Sequence, residues 1–113
     1  MRRVLTGIVV VFALGAFAGV ASAQDTAKGA KVYADHKCSV CHAIAGKGNA
    51  KGSLDGVGSK LTPDDIRQWI VDPAAMTKKT NAPRKPPMPA KYKSLPKEDL
   101  DALVAYLASL KKS

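Results

Sequence analysis

Large apolar side chains are scarce in this chain beyond its N-terminal segment. Both phenylalanines, Phe12 and Phe17, lie within the first 23 residues. Of the 90 residues from 24 to 113, only 15 are Leu, Ile, Val or Phe, which is 15/90 or about 17%; highly charged chains below roughly 20% are expected to be disordered. Without Arg2 and Arg3, 16 basic and 9 acidic residues remain, so the net charge is 16 − 9 = +7. A chain this small and polar is expected to need a buried cofactor to offset its ordering entropy.

Other absences narrow the interpretation of its only two cysteines. The sequence shows no convincing strand alternation, whereas a CxxC disulfide redox centre normally lies in a βαβ context. A structural zinc site would need a second ligand pair from a distant segment, but the only histidines, His36 and His42, both crowd the cysteines. Both alternatives are therefore weak.

The run Cys38-Ser39-Val40-Cys41-His42 matches the attachment signature of a covalently bound haem. Two thiols three residues apart lie on the same side of one helical turn, where they can form thioethers to the two porphyrin vinyl groups. The adjacent His42 can then reach the iron. The sequence predicts one haem c, attached through Cys38 and Cys41 and ligated by His42, with no cysteine left over.

The first 23 residues have the pattern of a secretory signal peptide. Arg2 and Arg3 form a positive start, residues 4–20 are uncharged and mostly apolar, and Ala21-Ser22-Ala23 matches a cleavage site. The alternative is an uncleaved membrane anchor, but the apolar stretch is short of the roughly 20 residues that a spanning helix needs. We therefore expect a periplasmic or otherwise exported protein.

Cleavage after position 23 would leave Gln24 as the N-terminus. Residues 24–113 are then expected to form one haem domain, with no stable membrane insertion. In an oxidising compartment an unmodified CxxC pair would favour a disulfide, whereas thioether attachment consumes both thiols.

The sequence pattern of the mature chain indicates helices separated by long loops. This pattern predicts an all-α fold of three or more helices wrapped around the haem. A first helix is expected from Thr26 to about Lys37, where good helix formers run into the haem motif. Thr62 and Pro63 begin a short amphipathic helix that stops at Asp72-Pro73. Leu100, Leu103, Val104 and Leu107 form one apolar stripe of a last helix from about Lys97 to Leu110.

The segments between these helices carry the glycines and prolines. Five glycines between Ala45 and Ser59 predict a loop wrapping the cofactor. Six of the seven prolines lie from Pro73 to Pro96, which excludes a continuous helix and predicts an otherwise open, stiff segment.

Met88 is the predicted second axial ligand. Pro87 has a fixed φ, and Pro89 pushes Met88 toward an extended conformation, so its thioether is presented from a rigid strap. Met88 could instead be an ordinary apolar residue of the loop, and Met76, just after the middle helix, is the rival methionine.

Taken in order along almost the whole mature chain, these motifs resemble a small monohaem cytochrome c of the His/Met type. The motifs that carry the resemblance are a Gly29/Tyr33 helix, Cys38-Ser39-Val40-Cys41-His42, Leu54-Asp55-Gly56-Val57-Gly58, Trp69-Ile70-Val71-Asp72-Pro73, Met88-Pro89, and a terminal helix with Leu103 and Tyr106.

The resemblance has several structural implications. It implies that Gly29 and Tyr33 pack against Leu103 and Tyr106 where the terminal helices cross. Trp69 would lie by the haem, where it would either donate a hydrogen bond to a propionate or serve as an apolar core residue.

One residue departs from the family. A proline commonly stands just before the residue that matches Leu54, and its carbonyl accepts the histidine proton. This chain has Ser53 there, whose carbonyl can still accept it.

The predicted coordination leads to a predicted function. Axial ligation by His42 and Met88 leaves no open iron position, so we expect an electron-transfer protein rather than an enzyme, with no catalytic side chain. The alternatives are a haem subunit bound permanently to a larger oxidoreductase, or, if Met88 is not a ligand, a small-ligand-binding or peroxidatic haem protein. No distal His or Arg constellation supports the latter.

Basic residues in the loops predict the partners of a monomeric carrier. They are expected to form a rim that steers the protein toward redox partners with acidic docking surfaces. The alternative is that these side chains are merely a solvated surface. Nucleic acid is not expected as a partner. The rim residues are Lys47, Lys51, Lys78, Lys79, Arg84, Lys85, Lys91 and Lys93. His36 is expected to be a surface residue.

Overall fold

The computed structural model describes residues 18–82 and 86–112, with side-chain surroundings for residues 25–82 and 86–112. These residues form a mostly helical fold, which confirms the all-α prediction. The α-helices are α1 (Ala18–Asp35), α2 (Val57–Lys60), α3 (Pro63–Val71), α4 (Pro73–Thr80) and α5 (Lys97–Ala108). Two strands, β1 (Ala43–Ile44) and β2 (Lys47–Gly48), form a small hairpin, and short 3-10 turns cover Cys38–Val40, Ala50–Gly52 and Ala90–Ser94.

Helix α1 begins earlier than expected and ends two residues before the predicted Lys37. Lys37 adopts a left-handed conformation, with φ of 53°, which a helix interior does not accommodate, and the chain then enters the turn of the haem motif. Most of the predicted signal peptide, residues 1–17, lies outside the described residues. No described helix combines the length and apolar character needed to span a membrane.

Helix α3 confirms the predicted middle helix. The Thr62 hydroxyl accepts a hydrogen bond from Asp65 N at 3.1 Å, and the Asp65 carboxylate accepts one from Thr62 N at 3.2 Å. This reciprocal capping box, with Pro63 at the first position, satisfies backbone donors that have no partner within the helix. The side chains of Ile66 and Ile70 are buried in the core.

Helix α4 corrects the expectation of an open segment after Pro73. Asp72 ends α3 and caps α4, because its carboxylate accepts a hydrogen bond from Ala75 N at 3.3 Å. Pro73 takes the first helical position, where its missing N–H costs nothing. The sequence is compatible with this helix, since no proline lies between Pro73 and Pro83. In the structure, Asn81 ends the helix with φ of 51°.

The glycine-rich segment forms a loop, but it also contains short regular elements. In the antiparallel hairpin, Ala43 pairs with Gly48 and Ile44 with Lys47. The loop is tied to the haem motif, because Asn49 N donates to Ser39 O at 3.1 Å and to His42 O at 3.0 Å.

The crossing of α1 and α5 is the centre of the fold. A Cβ atom added to Gly29 would overlap the Ala102 carbonyl and the Tyr106 side chain, so glycine permits the close approach. The Tyr33 and Tyr106 rings meet edge to face, with centroids 6.1 Å apart. This confirms the implied packing of Gly29 and Tyr33 against Tyr106, and Leu103 belongs to the same buried cluster as Tyr33. The buried cluster contains Val32, Tyr33, Ile66, Ile70, Leu100, Leu103, Val104 and Leu107.

Candidate haem site

Two adjoining cavities share four lining residues: Cys38, His42, Trp69 and Met88. The inner cavity, of about 200 Å³, is otherwise lined almost wholly by apolar core side chains of α3, α5 and the glycine-rich segment. The outer cavity, of about 470 Å³, lies between the haem motif and the proline-rich strap. The fold therefore brings together the predicted attachment residue Cys38 and both predicted ligands around one apolar space.

The haem motif leaves α1 as a tight turn. Cys38–Val40 is a 3-10 turn, and His42 N donates to Cys38 O at 2.9 Å. Both cysteines are half-buried and neither forms a disulfide, and Cys41 also lines the outer cavity. The motif thus places both predicted attachment residues at the cavity wall.

The two alternative roles of the cysteines find no support in the described residues. Burial is the main cause that raises the pKa of the Cys38 thiol, whereas a disulfide redox centre relies on a lowered thiol pKa. Within residues 18–82 and 86–112, no group of three or more His, Cys, Asp or Glu side chains could hold a metal ion.

The His42 ring is oriented by the backbone of the glycine-rich loop. Its Nδ1 lies 2.8 Å from Gly52 O, and because a carbonyl only accepts hydrogen bonds, Nδ1 must donate. The proton is therefore on Nδ1, which leaves the Nε2 lone pair as the metal-binding one. The acceptor is a backbone carbonyl, as predicted. The prediction of Ser53 was wrong by one residue, because the carbonyl belongs to Gly52.

The two methionines have different surroundings. Met88 is half-buried, lies between Pro87 and Pro89, and lines both cavities. Met76 is 7% exposed within α4 and lines neither of these cavities. The geometry therefore favours Met88 as the ligand over its rival.

Some lining residues were missed at the level of sequence. Leu54 and Val57, in the glycine-rich segment, and Leu61, just after it, line the inner cavity. Their spacing of three and four residues was the available signal. Tyr33 lines the same cavity in addition to packing at the helix crossing. Trp69 is half-buried and lines both cavities, consistent with a position beside the haem.

The predicted basic rim is partly described. Lys47, Lys51, Lys78, Lys79, Lys91 and Lys93 are exposed, whereas Arg84 and Lys85 lie outside the described residues. Of these six lysines, Lys91 lines the outer cavity, together with Lys37. The ion pairs found in the described parts of the chain use Lys28, Arg67 and Lys97, so none engages the six rim lysines.

The donor set fits a covalently attached haem: two thiols, an oriented imidazole and a thioether line the two adjoining cavities. Fold and site together define a small haem protein. Residues 26–111 match the model of the cytochrome c family, and the chain belongs to that family. Its cofactor is haem c with iron, covalently bound.

A comparison with characterised proteins adds one relative. Over 93 residues the chain is 34% identical to cytochrome c oxidase subunit 2 of Alkalihalophilus pseudofirmus. The matched region covers 74% of this chain and 25% of that protein, so this chain corresponds to about a quarter of its relative's length. No solved structure gave a significant match.

Proposed function

We propose that this protein is an exported, periplasmic carrier of single electrons, with a haem attached to Cys38 and Cys41 and ligated by His42 and Met88. The observation that carries the proposal is the apolar space that Cys38, His42, Trp69 and Met88 line together. When bound, the haem would supply a one-electron couple, and His42 and Met88 would hold its iron.

The polypeptide provides binding, orientation and exclusion of water. The apolar lining of the inner cavity keeps the local dielectric low, and the Gly52 carbonyl fixes the His42 ring. No side chain is proposed to act as acid, base or nucleophile. The protein is proposed to work as a monomer, with the exposed rim lysines steering it toward acidic surfaces of redox partners.

The intact mass of the exported protein tests this proposal. Because a haem-attachment motif and a signal peptide are both predicted, the mass should equal residues 24–113, beginning at Gln24, plus one haem. The ferrous protein should also fail to bind carbon monoxide, since His42 and Met88 would both be bound to the iron. A mature mass without haem contradicts the attachment site, and carbon monoxide binding by the native protein supports the ligand-binding alternative.

A second candidate function is a haem subunit held permanently in a larger oxidoreductase. It is favoured by the 34% identity to a cytochrome c oxidase subunit. Native mass in a gentle cell extract separates the two. A free carrier migrates at the mass of one haem-loaded chain, whereas a subunit migrates with a large complex.

A further inference from the structure

Tyr33 combines deep burial with an unpartnered hydroxyl. The residue is 9% exposed, and its hydroxyl is buried with no hydrogen-bond partner among the described residues. Removing a hydroxyl from water without replacing its hydrogen bond is costly, because the desolvation penalty is not recovered. Native proteins seldom leave such a group unsatisfied. A partner that the polypeptide alone does not supply is therefore expected.

The position of Tyr33 indicates where that partner lies. The residue is on α1, five positions before Cys38, and its ring packs against Tyr106 at an interplanar angle of 65°. It lines the inner cavity together with Cys38 and His42. This cavity is almost entirely apolar, so it contains few other groups that could satisfy the hydroxyl.

The Tyr33 phenol is a hydrogen-bond donor at neutral pH. Burial is the largest cause that raises the pKa of Tyr33 above its ordinary value. The proton therefore stays on the oxygen.

We propose that Tyr33 is a positioning residue whose hydroxyl donates a hydrogen bond to an acceptor that enters the inner cavity with the haem, and that this bond raises the midpoint potential. The acceptor is a neutral one from one of two sources: the thioether sulfur formed at Cys38, or a water molecule enclosed beside the haem. A donating O–H turns the positive end of its dipole toward the haem, which disfavours the more positive ferric form. The inference rests on the haem site of the proposed function.

Replacing Tyr33 with phenylalanine in the haem-loaded protein tests the effect on potential. In Tyr33→Phe, the ferrous-to-ferric ratio measured at the wild-type midpoint should fall by about twofold or more, the effect of losing part of one hydrogen bond in a low-dielectric site. The absorption spectrum should keep its methionine-ligand band, because the ligands are untouched. Tyr106→Phe is the matched control: Tyr106 packs on the same ring but lines neither cavity, so its midpoint should not move.

A crystal structure of the haem-loaded wild type identifies the acceptor and does not depend on the folding of any variant. Cys38 sulfur within hydrogen-bond distance of the Tyr33 oxygen supports the first source, and an ordered water supports the second. An oxygen without any acceptor, or one bonded to a backbone carbonyl, overturns the inference, as does an unchanged midpoint in Tyr33→Phe. A wild-type protein that carries no haem contradicts the proposed function instead.

Discussion

At the scale of single residues, Met88 and Met76 differ in what surrounds them. Met88 lines both cavities from a strap between two prolines, whereas Met76 is buried in α4 away from them. Met88→Ala should therefore open the sixth position of the iron. The ferrous protein should bind carbon monoxide, and the midpoint potential should fall, because methionine ligation raises it.

The matched control for Met88 is the same substitution at Met76. Met76→Ala should leave the absorption spectrum unchanged, while the loss of a buried side chain should lower the free energy of unfolding by about 2–5 kcal/mol. Spectra and denaturant titrations of both variants check this. Loss of the methionine-ligand absorption in Met76→Ala would show that the assignment of the ligand is wrong.

At the scale of elements, the crossing of α1 over α5 depends on the missing side chain of Gly29. In a helix interior, alanine is favoured over glycine by about 1 kcal/mol. At this position, however, an added Cβ would overlap Ala102 and Tyr106, so the helices must separate. Gly29→Ala should therefore lower the free energy of unfolding by about 1–3 kcal/mol, the usual cost of overpacking, as measured by chemical denaturation of the haem-loaded protein.

Gly46→Ala provides the same chemical change in open space. A Cβ there meets nothing within 4 Å, and the residue has a φ of 79°, so only the left-handed strain of about 1 kcal/mol is expected. If Gly29→Ala proves neutral or stabilising, the two helices do not approach as closely as described.

At the scale of the whole molecule, the core of the described chain is thin. No described large side chain is less than 2% exposed, and the interior contains the cavities lined by both predicted iron ligands. A Cys38→Ala/Cys41→Ala variant that cannot attach haem should therefore be largely unstructured, because the missing cofactor is part of the core. Far-ultraviolet circular dichroism and thermal unfolding of a sample verified to be free of haem measure this.

A double substitution inside the same motif serves as the control. Ser39 and Val40 are exposed, Val40 to 67%, so Ser39→Ala/Val40→Ala should retain its haem and its helix content. A cooperative thermal transition with native-like helix content in the haem-free cysteine variant would show that the polypeptide builds its own core.

The sequence by itself determined the features that depend on local spacing. The haem motif from Cys38 to His42 is contiguous, so its chemistry could be predicted without a fold. The starts of α3 and α5 were equally local: Thr62 caps α3 ahead of Pro63, and the acidic first turn of α5 complements the helix dipole. The family was recognisable from the order of these motifs, and its model matches residues 26–111.

Only the tertiary structure decided how distant residues meet. Met88 and Met76 carry the same side chain, and their different surroundings arise from packing between segments far apart in sequence. The acceptor of the His42 proton was predicted one residue away, because any backbone carbonyl can serve and only the loop's path selects Gly52. The unpartnered hydroxyl of Tyr33 was likewise invisible in the sequence, because whether a buried polar group is satisfied depends on which atoms the fold brings around it.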